Sequence, residues 1–567
     1  MGFQYQGKNF MTDDDLKVDI LSFWPRVEIQ DSKLKEAFLR KDSEENLDYE
    51  RNFLGGDEII AYFQSLVSHG MDFSALEEEI QKDMQDSEKS LKEIVYKKTA
   101  TGIGRGHSLG GLSGVVLGIH GTKMIDSGLT GLVASRSLVT SSRRRETTSE
   151  DIVVPKALTS EPELLEEYLK ISREVFNLAG EFKEKFKTLG GIETFNKLIP
   201  YNNPADLFIV LPLDTLATLA FEVMHDKRNP NGNFVPREIH NLVDKFPNIT
   251  KEVGLNTMYE QRVRVPRDTY LHYTVFKDPS LRNEALEGAE KRGMPLKPVI
   301  IDSFANFTPS ALLELKRLRM LAEKNMKIQE PAELVDAAMG YMLAMRAFVG
   351  ENNESVRVKV LDSLSWRVWS EQKRHATLRQ SVESVYSAAE RSAKGIGRFS
   401  PDIHQAFEMQ LPFNIGSEII KEIEKSIIID ERLKKQPELL TPYLYYTSKQ
   451  LGLFRKMLEA GIEPRDALYI VPKNIRLRTL ENYDLINLTN LELPLRLCNT
   501  CEPERKATSW EKRELIAKEI PELDYFLFPK CGVGFCTEGK YCGHLTGNRQ
   551  YSKEFHEAVK EEMLGRE

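Results

Sequence analysis

Apolar residues recur along this chain in two rhythms, and the longer one dominates. Residues 163–187 and 442–460 place Leu, Ile, Phe or Tyr at three- and four-residue steps, the stripe of a packed helix. Residues 309–325 and 331–349 read the same way, and a long helical pattern covers 355–394. Strand signals are sparser: 115–119 is one short apolar run and 208–211 another. Helix in excess of sheet predicts an α+β fold. Pro204, Asp206 and Pro212 recur as Pro464, Asp466 and Pro472, the same P-x-D-x5-P spacing, each time after one of the striped helices. The chain is therefore expected to hold two related units, 1–290 and 291–567, joined where Gly293, Pro295 and Pro298 interrupt the pattern.

Composition narrows the functional class. With 567 residues and 41% hydrophobic content the chain can bury real cores. A net charge of −8, with both signs interspersed, lacks the basic footprint of a nucleic-acid or anionic-membrane binder. No apolar run reaches the ~18 residues of a membrane span, and the polar, acidic residues 1–15 contain no signal-peptide segment, so a cytoplasmic location is expected. All five cysteines fall near the end, Cys498, Cys501, Cys531, Cys536 and Cys542, in a tail of about 498–544. Their short intervals suit a tetrahedral thiolate site such as a structural zinc, while reduced, unmetallated thiols are the alternative.

Four segments carry candidate chemistry. The glycine-rich stretch 102–111 holds His107 and Ser108 among residues that let a backbone approach a phosphate; a surface loop is the alternative. Ser142, Arg143 and Arg144 combine hydroxyl and guanidinium donors suited to a phosphate monoester, although three adjacent arginines also make an ordinary basic patch. Arg374 and His375 lie inside the long helical pattern, either facing a nucleotide or standing on a solvated helix. Arg496 sits between apolar residues beside Cys498, and a guanidinium so placed demands an anionic partner, a ligand or a carboxylate of the same fold.

In order, these segments resemble the flavin-dependent thymidylate synthases, in a long form built of two family-like units. The closest likeness runs from Ala460-Gly-Ile-Glu-Pro-Arg-Asp-Ala467 through Pro472 to Asn487 and Arg496, with the first half contributing Gly106-His107 to Pro155. The resemblance implies two tandem thymidylate-synthase-complementing-protein-like units, each a helix-rich domain around a small, mostly antiparallel sheet. It further implies FAD as hydride carrier, methylenetetrahydrofolate and NADPH as cosubstrates, and dUMP converted to dTMP. Arg496 would act on the uracil ring as the catalytic residue, Ser142, Arg143 and Arg144 would bind dUMP, and His107, Ser108, Arg374, His375 and Asn487 would contact FAD. A homodimer would reproduce the family's tetramer interfaces. The family's R-H-R-x2-S-x-N-E-x-S-x-R motif is broken: Ala376 replaces its second arginine, Tyr386 its last, and Glu383 stands one place late. Two further readings stand beside the synthase. One is a flavin- or nucleotide-binding scaffold without catalysis. The other is a zinc enzyme centred on the cysteines, with Glu538 or His544 as its base, which four thiolates would already close.

Overall fold

The computed structural model describes residues 3–28, 53–68, 75–85, 89–99, 111–132, 136–139, 152–185, 194–228, 235–265, 275–276, 293–373, 377–413, 416–539, 541–543 and 551–565. Two four-stranded antiparallel sheets organise them. The first contains β1 (Lys17–Trp24), β2 (Gly114–Thr122), β3 (Arg136–Val139) and β4 (Pro204–Pro212) in the order β1-β2-β4-β3. The second contains β5 (Val299–Ala305), β6 (Val356–Ser365), β7 (Arg379–Val382) and β8 (Arg476–Asp484) in the order β5-β6-β8-β7. Relative to chain order, the two arrangements are the same.

The helices follow in matching places. In the first half, α1 (Lys123–Leu132) leaves β2, α2 (Pro162–Lys185) follows β3, α3 (Leu213–Arg228) leaves β4, and α4 (Arg237–Val243) comes next. In the second, α5 (Pro309–Asn325) and α6 (Pro331–Asn352) precede β6, α7 (Trp366–Gln372) leaves it, and α8 (Val385–Gly397) and α9 (Pro437–Glu459) follow β7. Then α10 (Leu485–Thr489) leaves β8, with α11 (Glu492–Leu497), α12 (Pro503–Glu519) and α13 (Lys553–Leu564) completing the chain. Side-chain hydrogen bonds repeat too. Tyr168 on α2 donates to the Val153 carbonyl at 2.8 Å, and Tyr443 on α9 to the Ile428 carbonyl at 2.9 Å. Asn202 donates to Ser172, and Asn474 to Thr447, both at 2.9 Å.

Alternation explains the strands. On β4, Leu207, Ile209 and Leu211 point inward and Phe208 stands exposed between them, a sheet with one wet face. Val356, Val358 and Val360 on β6 are buried between exposed Arg357 and Lys359. That alternation corrects the long helix expected over 355–394, which is instead a strand, a short helix, a second strand and α8. The P-x-D-x5-P repeat is also corrected: Pro204–Pro212 is a strand, whereas Pro464–Ala467 is one helical turn followed by the 3-10 turn Leu468–Ile470. Nine residues between prolines fit either element, but only the first copy alternates. By place in the sheet, β4 matches β8.

Each sheet has its own buried cluster, and a third draws on both halves, with Tyr168 and Leu198 beside Trp366 and Tyr443. Across this seam Ser127 of α1 and Ser370 of α7 meet at 3.1 Å, while Trp366 donates to Ser127 and Tyr201 meets Ser370 at 3.0 Å. Among the described residues, no helix is long and apolar enough to cross a membrane.

Candidate functional site

The region built most fully around expected site residues lies where β8 runs out into α10 and α11. Asp484 caps α10 by accepting from the Asn487 backbone N–H at 3.0 Å. That cap turns Asn487 inward, where its Nδ2 donates to Asp484 Oδ1 at 2.7 Å and to the Thr377 carbonyl at 3.1 Å. Its Oδ1 is buried with no hydrogen-bond partner among the described residues. On α11, Arg496 Nε donates to Glu492 Oε1 at 2.8 Å, one helical turn back, and Nη2 to the Gln372 carbonyl at 3.4 Å. Arg496 and Asn487 thus hold the chain at Gln372 and Thr377, on either side of the Arg374-His375 segment. Of the site residues proposed from sequence, Asn487 and Arg496 are described, and each donates to a backbone carbonyl of this stretch.

Behind Arg496 lies a buried ion cluster that the sequence reading missed. Glu481 on β8 meets Arg505 at 3.0 Å and Lys512 at 2.6 Å, both on α12, and accepts from Tyr483 at 2.8 Å and Gln372 at 3.2 Å. Asp362 on β6 adds a second carboxylate 2.6 Å from Lys512, and Glu492 links Arg505, at 3.6 Å, to Arg496. Three carboxylates, Asp362, Glu481 and Glu492, therefore face three cations, Arg496, Arg505 and Lys512. Burial alone would raise the Glu481 carboxyl, but Arg505 and Lys512 outweigh it and hold it well below the usual carboxylate range. The Glu492–Arg496 pair was legible as an i,i+4 spacing; the contributions of β6 and α12 arise from folding alone.

The cysteines divide. Cys498, Cys531, Cys536 and Cys542 line one cavity of about 370 Å³, with Lys506 and Lys530 also on its wall. Cys501 instead lies beside Arg496: burial raises its thiol, and the Arg496 guanidinium opposes that rise. None of the five is disulfide-bonded. Glu538, a candidate base for a zinc enzyme, is held by Lys530 at 2.8 Å. Among the described residues, no three metal-ligating side chains close around a single ion-sized point.

Two deeply buried lysines flank the seam. Lys373 lies over the Trp369 ring at 4.5 Å, and burial lowers its ammonium well below the ordinary lysine value. Lys473 lies over Tyr201 at 5.1 Å and is lowered likewise, first by burial and then by Arg367 and Lys123. His107, Ser108, Ser142, Arg143, Arg144, Arg374, His375 and His544 lie outside the described residues.

An FAD requires protein acceptors for its N–H and hydroxyl groups. The buried, unpartnered Asn487 Oδ1 and Gln372 Oε1 fit that need, on either side of the same segment. No family model matches the chain. Over 125 residues it is 26% identical to a flavin-dependent thymidylate synthase of Thermococcus onnurineus, covering 21% of this chain and 51% of that relative. Over 121 residues it is 27% identical to one of Pyrococcus abyssi, covering 20% and 49%, and over 123 residues 30% identical to one of Pyrococcus horikoshii, covering 21% and 50%. The match spans about half the length of these curated relatives. The chain is a distant relative of proteins named flavin-dependent thymidylate synthase.

Proposed function

We propose that this chain comprises two tandem units of the flavin-dependent thymidylate synthase type and carries out reductive methylation of dUMP to dTMP. The shared strand order, the Tyr168/Tyr443 hydrogen bonds and the Asn202/Asn474 hydrogen bonds support the tandem reading. The observation that carries the functional reading is the convergence of Asn487 and Arg496 on the Thr377 and Gln372 carbonyls. Asn487 and Gln372 would hold FAD, which supplies the hydride for the transferred carbon. Arg496, oriented by Glu492, would polarise the uracil carbonyl and stabilise negative charge developing on the ring. Ser142, Arg143 and Arg144 would bind the dUMP phosphate; NADPH and methylenetetrahydrofolate would be cosubstrates and a homodimer the working assembly.

The second reading is a flavin- or nucleotide-binding scaffold. It is favoured by the closure of Arg496 on Glu492 and by Ala376 and Tyr386 in place of motif arginines. One experiment separates the two. The full chain is loaded with FAD, its absorbance is followed under NADPH with and without dUMP, and dTMP is then assayed after adding methylenetetrahydrofolate. The synthase reading expects flavin binding, dUMP-dependent bleaching and product, with Arg496→Lys lowering turnover by about 10²–10³-fold while flavin stays bound. Flavin binding without dTMP supports the scaffold. A chain that takes up no flavin overturns the synthase reading, and one that binds neither flavin nor dUMP overturns both.

A further inference from the structure

Four of the five thiols surround one cavity, and its shape bears on what fills it. Cys498 stands where α11 ends in extended backbone, Cys531 and Cys536 flank a tight turn, and Cys542 comes from the strand of chain beyond it. Gly534 makes that turn with φ +84°, and a Cβ there would approach the Asn325 carbonyl carbon and oxygen to 3.2 Å, so the loop is seated against the end of α5. Cys498, Cys531 and Cys536 are buried and Cys542 is exposed. The site is therefore a fixed pocket with one accessible rim, not a set of chance surface thiols.

A single tetrahedral zinc holds its sulfurs at about 2.3 Å, which sets neighbouring sulfurs about 3.8 Å apart. The described side chains do not close to such a point, yet four thiols line a cavity of about 370 Å³. Four cysteines around a volume larger than one ion match the ligand set of an iron–sulfur cluster, which takes four thiolates through several metal centres. Lys506 on the wall supplies positive charge beside a cluster whose four thiolates make it anionic, while Lys530 is paired with Glu538 on the same wall. Cys501, turned toward Arg496, is left out.

We propose that Cys498, Cys531, Cys536 and Cys542 ligate an iron–sulfur cluster that fastens the C-terminal segment to the end of α11. This assignment is independent of the flavin reading, because none of the four thiols contacts Asn487, Gln372 or Arg496 in the hydrogen bonds described above. The test uses the full chain, purified without oxygen, with iron, zinc and acid-labile sulfide measured chemically so that flavin colour does not interfere. The expected result is iron and sulfide in equal amounts, about two or more of each per chain. Cys542→Ser, at the exposed rim, is expected to lose most of both, and Cys501→Ser to keep the wild-type content. Zinc at one per chain without sulfide overturns the proposal. So does a metal-free protein whose cysteines all titrate as thiols, and so does equal loss of iron from Cys501→Ser and Cys542→Ser.

Discussion

Ile119 and Ile209 face the first core at places in the sheet where Asp362 and Glu481 face the second. The registers make the correspondence: Leu117 pairs with Ile209 as Val360 pairs with Glu481, and Ile119 pairs with Leu207 as Asp362 pairs with Thr479. Hydrocarbon fills the first position set; buried charge, neutralised by Arg505 and Lys512 from α12, fills the second. Desolvation makes a buried ion cluster a poor source of stability compared with apolar packing of the same volume. Its value here is geometric, since the same cluster runs through Glu492 to Arg496 and through Glu481 to Gln372, whose carbonyl accepts from Arg496. One sheet is built to be stable and the other to hold an arginine still.

The sharpest way to break this contrast is to remove one charge from the second sheet. Glu481→Gln leaves Arg505 and Lys512 short of a buried carboxylate, and the expected loss of folding stability is about 3–5 kcal/mol. Urea unfolding monitored by tryptophan fluorescence measures it. Ile209→Val at the matching place is expected to cost only about 0.5–1.5 kcal/mol. If the two substitutions cost the same, the cluster is solvated in practice and the contrast fails.

What the sequence disclosed follows the same division. The helix stripes of α2, α5, α6 and α9 were legible because each has one buried face over four or more turns. The strand β4 was legible as the short apolar run 208–211, and its alternation shows only in burial, where Phe208 faces outward. The stretch holding β6, α7 and β7 was read as a helix because α7 spans under two full turns and almost every residue from Val360 to Ser370 is buried, which erases any period. Arg496 and Asn487 were proposed from sequence, whereas Glu481, Asp362 and Arg505 of the cluster behind Arg496 are distant in sequence and meet only through β-pairing and the packing of α12. The cysteine spacing grouped Cys501 with Cys498. Pro503 starts α12 two residues later and turns Cys501 toward Arg496 instead.

A smaller effect sharpens the comparison through pH. Glu238 on α4 is buried against Thr122 of β2, whose backbone N–H it accepts at 3.0 Å, and burial raises its carboxyl to about 8. Glu481 is lowered. In Glu238 the folded state holds a proton that the unfolded chain, with an ordinary value of 4.5, releases. Its contribution is full below about 4.5 and fades as pH rises toward about 8. The lowered Glu481 works oppositely: its contribution is present above the ordinary glutamate value and is lost as pH falls through the folded one. Glu238→Gln is therefore expected to flatten the fall in stability between about pH 4.5 and 8, and Glu481→Gln to flatten the fall on the acid side. Thermal midpoints across pH for both variants test this, and a Glu238→Gln curve parallel to wild type between pH 5 and 8 refutes the assignment to Glu238.

The smallest expected effect bears on whether the two halves are one unit used twice. Tyr168→Phe and Tyr443→Phe each remove a hydroxyl that donates to a buried carbonyl fifteen residues earlier, Val153 in one half and Ile428 in the other. Each phenol is wholly buried, and its removal leaves that carbonyl without this donor, so each change is expected to cost about 1 kcal/mol. Equivalent units predict equal costs, and the double variant, whose sites share the seam core but no hydrogen bond, predicts close to their sum. Unequal costs would mean that the matched geometry conceals different energetic roles, with the seam supporting one half more than the other. Equal and additive costs would place the divergence between the halves where the structure concentrates it, in the pair of strands that exchanged isoleucines for carboxylates and in the helix that neutralises them.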